Sequence, residues 1–138
     1  MTNEPKLIEF PSIGEPSLGY ITVVENDINI PFEIKRAYWT YYTPQDVIRG
    51  GHAHLNLKQV IFAVSGSIEM TLTYGNVKDK LFQLDKPSIG LFIPSLVWRE
   101  IKFSHSAVLL CLASEIFTEE DYVRDKSEFY KLTKNHEI

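Results

Sequence analysis

The sequence predicts an all-β chain, an antiparallel sandwich or barrel closed by one short helix at its C-terminal end. Two observations carry that prediction. Short segments rich in β-branched and aromatic residues recur along the 138 residues, with Gly, Pro, Asn and Asp between them. Several of these segments alternate apolar and polar side chains, the period of a strand with one buried face.

Taken in order, residues 20–25 and 33–42 are the first strands, dense in Ile, Val, Thr, Tyr and Trp. Residues 59–65 form an apolar strand that passes through Gly66 into the alternating segment 67–74. Gly75-Asn76 has hairpin-turn chemistry and leads into a strand over 77–82. Further strands are predicted at 89–93, 98–103 and 107–113. The helix is expected to begin near Thr118, whose hydroxyl can cap it while Glu119, Glu120 and Asp121 favour the N-terminal dipole. Tyr122, Lys126, Phe129 and Tyr130 continue it at helical spacing to about residue 132, as a lid or brace on the barrel.

The length suits one domain over residues 1–138, with a core of ordinary composition (44% hydrophobic, 23% charged). Fourteen basic residues are outnumbered by eighteen acidic ones for a net charge of −4, and they are scattered. No basic stripe can neutralise a duplex, so nucleic acid is excluded as an expected partner, while a single phosphorylated ligand is not. Cys111, the single cysteine, sits in an apolar run and is expected to be buried and inert, in keeping with a reducing compartment. Residues 1–6 lack the apolar stretch of a signal peptide, and no apolar run reaches the roughly 18 residues of a membrane span. The expected location is the cytoplasm, away from the membrane.

The segment Arg49-Gly-Gly-His-Ala-His54 carries the chemistry. On a strand, His52 and His54 project to the same side, here just after what the sequence predicts to be a Gly-Gly turn. The spacing from this pair to Gln59 and then Gly66 resembles the first motif of the cupins, small β-barrels of jelly-roll form. Metal-binding cupins place Glu where Gln59 stands and a later His where Arg99 falls. An amide is a poor ligand and a guanidinium none at all, so two histidines remain where a catalytic zinc site uses three protein ligands. His105, in an expected turn, and His136, near the C-terminus, do not complete the set. The expectation is therefore a metal-free pair of imidazoles doing acid–base work, with Arg49 or Arg99 keeping one neutral and holding an anion or a developing enolate. On the strand 33–42, Arg36, Tyr38 and Thr40 share one face with apolar Ile34. That face is either a structural Arg–Tyr pair or an anion-binding, proton-relaying wall.

A longer set of residues is similar to the nucleotide-sugar 3,4-ketoisomerases. It comprises Ile34-Lys-Arg-Ala-Tyr38, Arg49-Gly-Gly-His-Ala-His54, Gln59-Val60 with Gly66, Gly90-Leu-Phe-Ile-Pro94, Val97-Trp98 with Glu100, Leu112-Ala-Ser114 and Asp121-Tyr-Val-Arg124. This resemblance covers roughly residues 6 to 131. It implies a cupin-type jelly roll acting on thymidine-diphosphate-linked 4-keto-6-deoxyglucose. A base removes the C3 proton, an enediol forms, and reprotonation at C4 leaves the ketone at C3, with no cofactor. It assigns His52 as the base, His54 as its partner in proton shuttling and Tyr38 to the sugar or the proton relay. Arg36 or Arg49 would hold the diphosphate, and Gln59, Trp98 and Arg99 complete the substrate-binding set. It also implies a homodimer with exchanged N-terminal strands, serving bacterial surface-glycan synthesis. Departures at Leu18, Leu55 and Arg99 leave the stereochemistry at C4, galacto or gluco, open. The rivals are a 3,5-epimerase of the same keto sugar, a non-catalytic nucleotide-sugar-binding cupin and a metal-dependent cupin.

Overall fold

The computed structural model describes residues 4–75 and 77–135. Asn76 of the expected turn and His136 lie outside them. Two five-stranded antiparallel sheets face each other. The first runs β1 (Lys6–Glu9), β9 (Ile89–Ile93), β6 (Gln59–Ser65), β11 (Val108–Ala113), β4 (Arg36–Thr40) in spatial order. The second runs β12 (Tyr122–Val123), β5 (Ile48–His54), β10 (Trp98–Phe103), β7 (Ile68–Tyr74), β8 (Val77–Leu84). A separate hairpin pairs β2 (Ile13–Glu15) with β3 (Gly19–Ile21). This is the jelly-roll sandwich the sequence predicts.

Alternation along each strand decides which side chains meet between the sheets. Leu109, Cys111 and Ala113 of β11 point inward, as do Ile68, Met70 and Leu72 of β7 and Ile101 and Phe103 of β10. With Leu84, Leu91 and Ile93 they fill one end of the interior. Each such side chain contributes about 1.5–3 kcal/mol by leaving water. The other end, between β4, β5 and β10, is polar and hollow. Outside the first sheet, Val60, Phe62, Phe92 and Leu112 form a second apolar layer. Phe10, Val24, Ile30 and Phe32 from the N-terminal segment cover part of it.

Three expectations change. Only residues 20 and 21 of the predicted strand 20–25 are strand, because Val24 and the chain after it turn across the sheet's outer face. Asn26 and Asn29 fix that path: their side-chain oxygens accept the amides of Ile34 and Glu25. Gly50 and Gly51 do not form a turn; they lie within β5 as a bulge. The pairing slips between Arg99↔His52 and Glu100↔Gly50, and both glycines have positive φ (90° and 68°). A Cβ on Gly50 would meet the Arg99 carbonyl at 2.8 Å, so only glycine fits.

The helix does not begin at Thr118, whose side chain makes no cap bond. Residues 119–121 form one 3₁₀ turn, and then Tyr122 and Val123 pair with His54 and Ala53 as the edge strand of the second sheet. Helix α1 spans Lys126–Asn135, and Asp125 caps it through the Ser127 amide (3.0 Å) and hydroxyl (2.8 Å). Pairing to β5 outweighs helix propensity at residues 122–123. The helix is a brace: Phe129 packs with Trp98, Ala53 and Val123 on the outer face of the second sheet.

Candidate active site

The β5 bulge aims the histidines. Beyond it, His52 and His54 point inward, with rings 4.8 Å apart in an edge-to-face arrangement. Tyr122, held opposite His54 by the β12 pairing, lies 4.5 Å from the His54 ring and 5.0 Å from that of His52. From the facing sheet, Arg36, Tyr38 and Thr40 project from β4, resolving the mixed face of the sequence in favour of the interior; Ile34 packs in the outer layer. Together with Arg49, Gly50, His52, Arg99 and Tyr122 these residues line a cavity of about 230 Å³.

Three guanidiniums face this cavity, and no carboxylate is among its lining residues. Arg99 is the extreme case, 2% exposed. Its Nη1 donates to Gln59 Oε1 and its Nη2 to the Val97 carbonyl (3.1 Å), while Nε has no partner. Burial pulls its pKa below the ordinary arginine value. Removing a cation from water without a counter-ion costs several kcal/mol, so this arrangement opposes stability and marks a functional site. Arg36 Nε is likewise buried and unpartnered, with its guanidinium over the rings of Tyr38 (5.4 Å) and Phe117 (5.8 Å).

Gln59 sits behind the cavity wall. Its oxygen faces Arg99, while its nitrogen donates to the Tyr38 hydroxyl (3.0 Å) and Cys111 Sγ (3.2 Å). Tyr38 accepts from Gln59, and its hydroxyl is also hydrogen-bonded to the Cys111 thiol. Burial raises its pKa well above the ordinary tyrosine value, so it stays a neutral phenol. Burial likewise lifts the Cys111 thiol to about 11, and it is inert, as its sequence context suggests.

Burial, and then the Arg99 charge, lower His52 to about 4. Its Nδ1 lies 3.1 Å from the Gly50 carbonyl, which places the hydrogen on Nδ1 and leaves Nε2 as the acceptor. His54 is 1% exposed, and burial, Arg99 and His52 push it to about 2. Both imidazoles are neutral at physiological pH. Among the described residues no three His, Cys, Asp or Glu side chains are grouped to hold a metal ion.

Of the residues singled out in the sequence, Tyr38, Arg36, Arg49, His52 and Arg99 share the cavity. His54 and Gln59 stand directly behind it. Trp98 does not: it faces the other side of β10, against Phe129, because Arg99 takes the inward position. Tyr122, with Arg124 and Glu119 beside it, escapes a helical reading of residues 118–132. Arg124 stacks on Tyr122 (4.2 Å) and pairs with Glu119 (2.7 Å). The Tyr-Val pair, with its high β propensity, is the signal that could have shown them.

Residues 3–134 match the family described as FdtA: WxcM-like, C-terminal. The chain is 39% identical over 129 residues to a TDP-4-oxo-6-deoxy-α-D-glucose 3,4-oxoisomerase of Aneurinibacillus thermoaerophilus, covering 93% of this chain and 91% of the relative. The chain belongs to the FdtA family of sugar 3,4-ketoisomerases. A crystal structure of the 3,4-ketoisomerase QdtA from Thermoanaerobacterium thermosaccharolyticum, a His-to-Asn variant in complex with TDP-4-keto-6-deoxyglucose, superposes with a TM-score of 0.92 at 38% identity, over 98% of this chain and 97% of that one. The 3,4-ketoisomerase of Helicobacter canadensis gives 0.90 at 41%, over 96% and 99%. As an FdtA-family member, the chain is an isomerase built on the family's cupin-like fold.

Proposed function

We propose that this ketoisomerase acts on TDP-4-keto-6-deoxyglucose, with the arginine-lined cavity taking the keto sugar. The observation that carries the reading is a cavity holding three guanidiniums, a neutral His52 and no carboxylate among its lining residues. Its volume is below the roughly 300–1,000 Å³ of pockets that enclose a whole ligand, so it suits the sugar, with the nucleotide outside.

In this reading Nε2 of neutral His52 removes the C3 hydrogen. The C–H electrons form the C3–C4 double bond, and the former carbonyl O4 carries the negative charge of an enediolate. Arg99 stabilises that charge from a site where water does not screen it. O4 takes a proton, the O3 hydroxyl gives one up, and C4 is reprotonated. One hydrogen leaves carbon and oxygen at C3, and one arrives at each at C4, so no external oxidant or reductant is needed. His54 shares the proton traffic and Tyr38 donates a hydrogen bond to the sugar oxygens. Arg36 and Arg49, nearer the mouth, suit the diphosphate. A base near 4 is weak in the free enzyme; the incoming diphosphate strengthens it by offsetting the arginine charge.

Incubation with TDP-4-keto-6-deoxyglucose in deuterated water, followed by proton NMR, tests this. Migration of the carbonyl to C3 with deuterium at C4 is expected. A carbonyl left at C4 with inverted C3 or C5 would make it an epimerase, and binding without exchange a binding protein. The same spectra read the C4 configuration.

The chain is also proposed to act as a homodimer in the cytoplasm. The support is an apolar groove of about 490 Å³ outside the first sheet, lined by Tyr20, Val24, Phe62, Val64 and Leu110, of which Tyr20 and Val64 are exposed. A second copy would cover it. Sedimentation equilibrium should give twice the chain mass. No helix among the described residues is long and apolar enough to cross a membrane.

A further inference from the structure

His54 is packed away from the cavity, so something other than a ligand must decide which of its nitrogens carries the hydrogen. His54 Nδ1 is buried and has no aligned hydrogen bond, but it lies 3.3 Å from Asp121 Oδ2. That carboxylate is only 12% exposed and is itself held in place. Asp121 Oδ1 accepts the Asn56 amide (2.8 Å) and Oδ2 the Leu57 amide (3.3 Å), while the Asp121 carbonyl accepts the amide of Leu55 (2.9 Å). One residue thus ties down the three residues that follow His54. The other groups around the imidazole are the His52 and Tyr122 rings and the Arg99, Arg36 and Arg124 charges, none of which accepts a hydrogen from Nδ1.

We infer that Asp121 is a positioning residue for the isomerase reaction, holding His54 in the tautomer with hydrogen on Nδ1 so that Nε2 is the proton acceptor. A carboxylate beside one ring nitrogen sets the tautomer of an imidazole without taking its proton. His52 is set the same way by the Gly50 carbonyl. Both imidazoles then present an unprotonated Nε2, and a proton collected by one can be passed on by the other. If His54 instead carried its hydrogen on Nε2, it could donate but not receive. This inference rests on the histidine-pair reading of the reaction.

The test is Asp121→Asn, with Asp121→Glu as the variant that keeps the charge should the first not fold. In the wild type labelled with ¹⁵N-histidine, imidazole ¹H–¹⁵N correlations should place the His54 hydrogen on Nδ1; in Asp121→Asn it should move to Nε2 wholly or in part. We expect kcat to fall about 10²-fold or more, within the range for losing a proton-transfer group, with KM and TDP binding changed less than threefold. In a His54→Gln background the same substitution should cost less than threefold. An unchanged tautomer, or a full additional loss in that background, would overturn the inference. A wild type inactive on TDP-keto sugars would instead sink the functional reading, so the two failures are distinct.

Discussion

Two hollows of this molecule differ in size and in the chemistry of their walls. The groove outside the first sheet holds about 490 Å³ and is walled by Tyr20, Val24, Phe62, Val64 and Leu110, with no charged residue. The cavity between the sheets holds about 230 Å³, and its polar wall is three arginines, two tyrosines, a threonine and a histidine. Volume and apolarity favour the first; chemistry belongs to the second. The difference teaches that uncompensated charge locates this site better than size. An apolar groove is stable empty or covered by another copy, whereas buried cations without carboxylates persist only if an anion is to be met.

Removing the base should break the comparison most severely. His52→Asn should lower kcat by about 10²–10⁴-fold while TDP still binds, measured by NMR turnover and calorimetry. Retained turnover would mean that the cavity is a binding site and the base is elsewhere.

Arg99→Met should separate function from stability. Exchanging an unpaired buried cation for an apolar chain of similar length removes a desolvation cost, so the melting temperature should hold or rise. Turnover should fall roughly 10- to 10³-fold, in the range of losing one group that stabilises an oxyanion. The acid limb of kcat/KM should also move up toward the ordinary histidine pKa of about 6.5.

The histidines make a pH prediction in the unaltered protein. With His52 neutral down to about 4, kcat/KM should stay flat as pH drops through 6.5 and fall only near 4. Folding responds earlier. The unfolded chain protonates both imidazoles near 6.5, while the folded chain resists to about 4 at His52 and about 2 at His54. Unfolding therefore takes up protons in that window. Their contribution to stability is complete above pH 6.5 and is lost as pH falls below it, by on the order of 1 kcal/mol per unit for each imidazole. Urea titrations at pH 7.5 and 5.5 read this directly.

The smallest effect on catalysis is expected in the groove. Val64, 42% exposed there, changed to Asp should weaken association at least tenfold in sedimentation, while kcat moves less than threefold. A large loss of turnover would show that the two hollows are coupled.

Much of the site was legible because period two is a property of the chain itself. His52 with His54, and Arg36 with Tyr38, had to share faces wherever the strands went. Gln59 and Arg99 at the cupin ligand positions likewise pointed away from a metal on donor chemistry alone. Residues 118–124 were not legible in the same way. Their acidic turn and aromatic spacing satisfy a helix locally, and only the vacant edge of β5 converts Tyr122-Val123 into a strand. With that strand come Asp121 and Tyr122, brought 67 residues or more along the chain to the histidines.

What the sequence alone determined is the class of fold, most of the strands of the two sheets and the residue types that do the chemistry, since these depend on alternation, turn chemistry and side-chain character. The tertiary structure decided the rest. It turned Gly50-Gly51 from a turn into a bulge, sent Trp98 outward so that Arg99 could point in, and set a carboxylate beside His54. Each of these depends on which strand lies next to which, and hydrogen-bond pairing across a sheet joins residues whose separation in sequence carries no local signal.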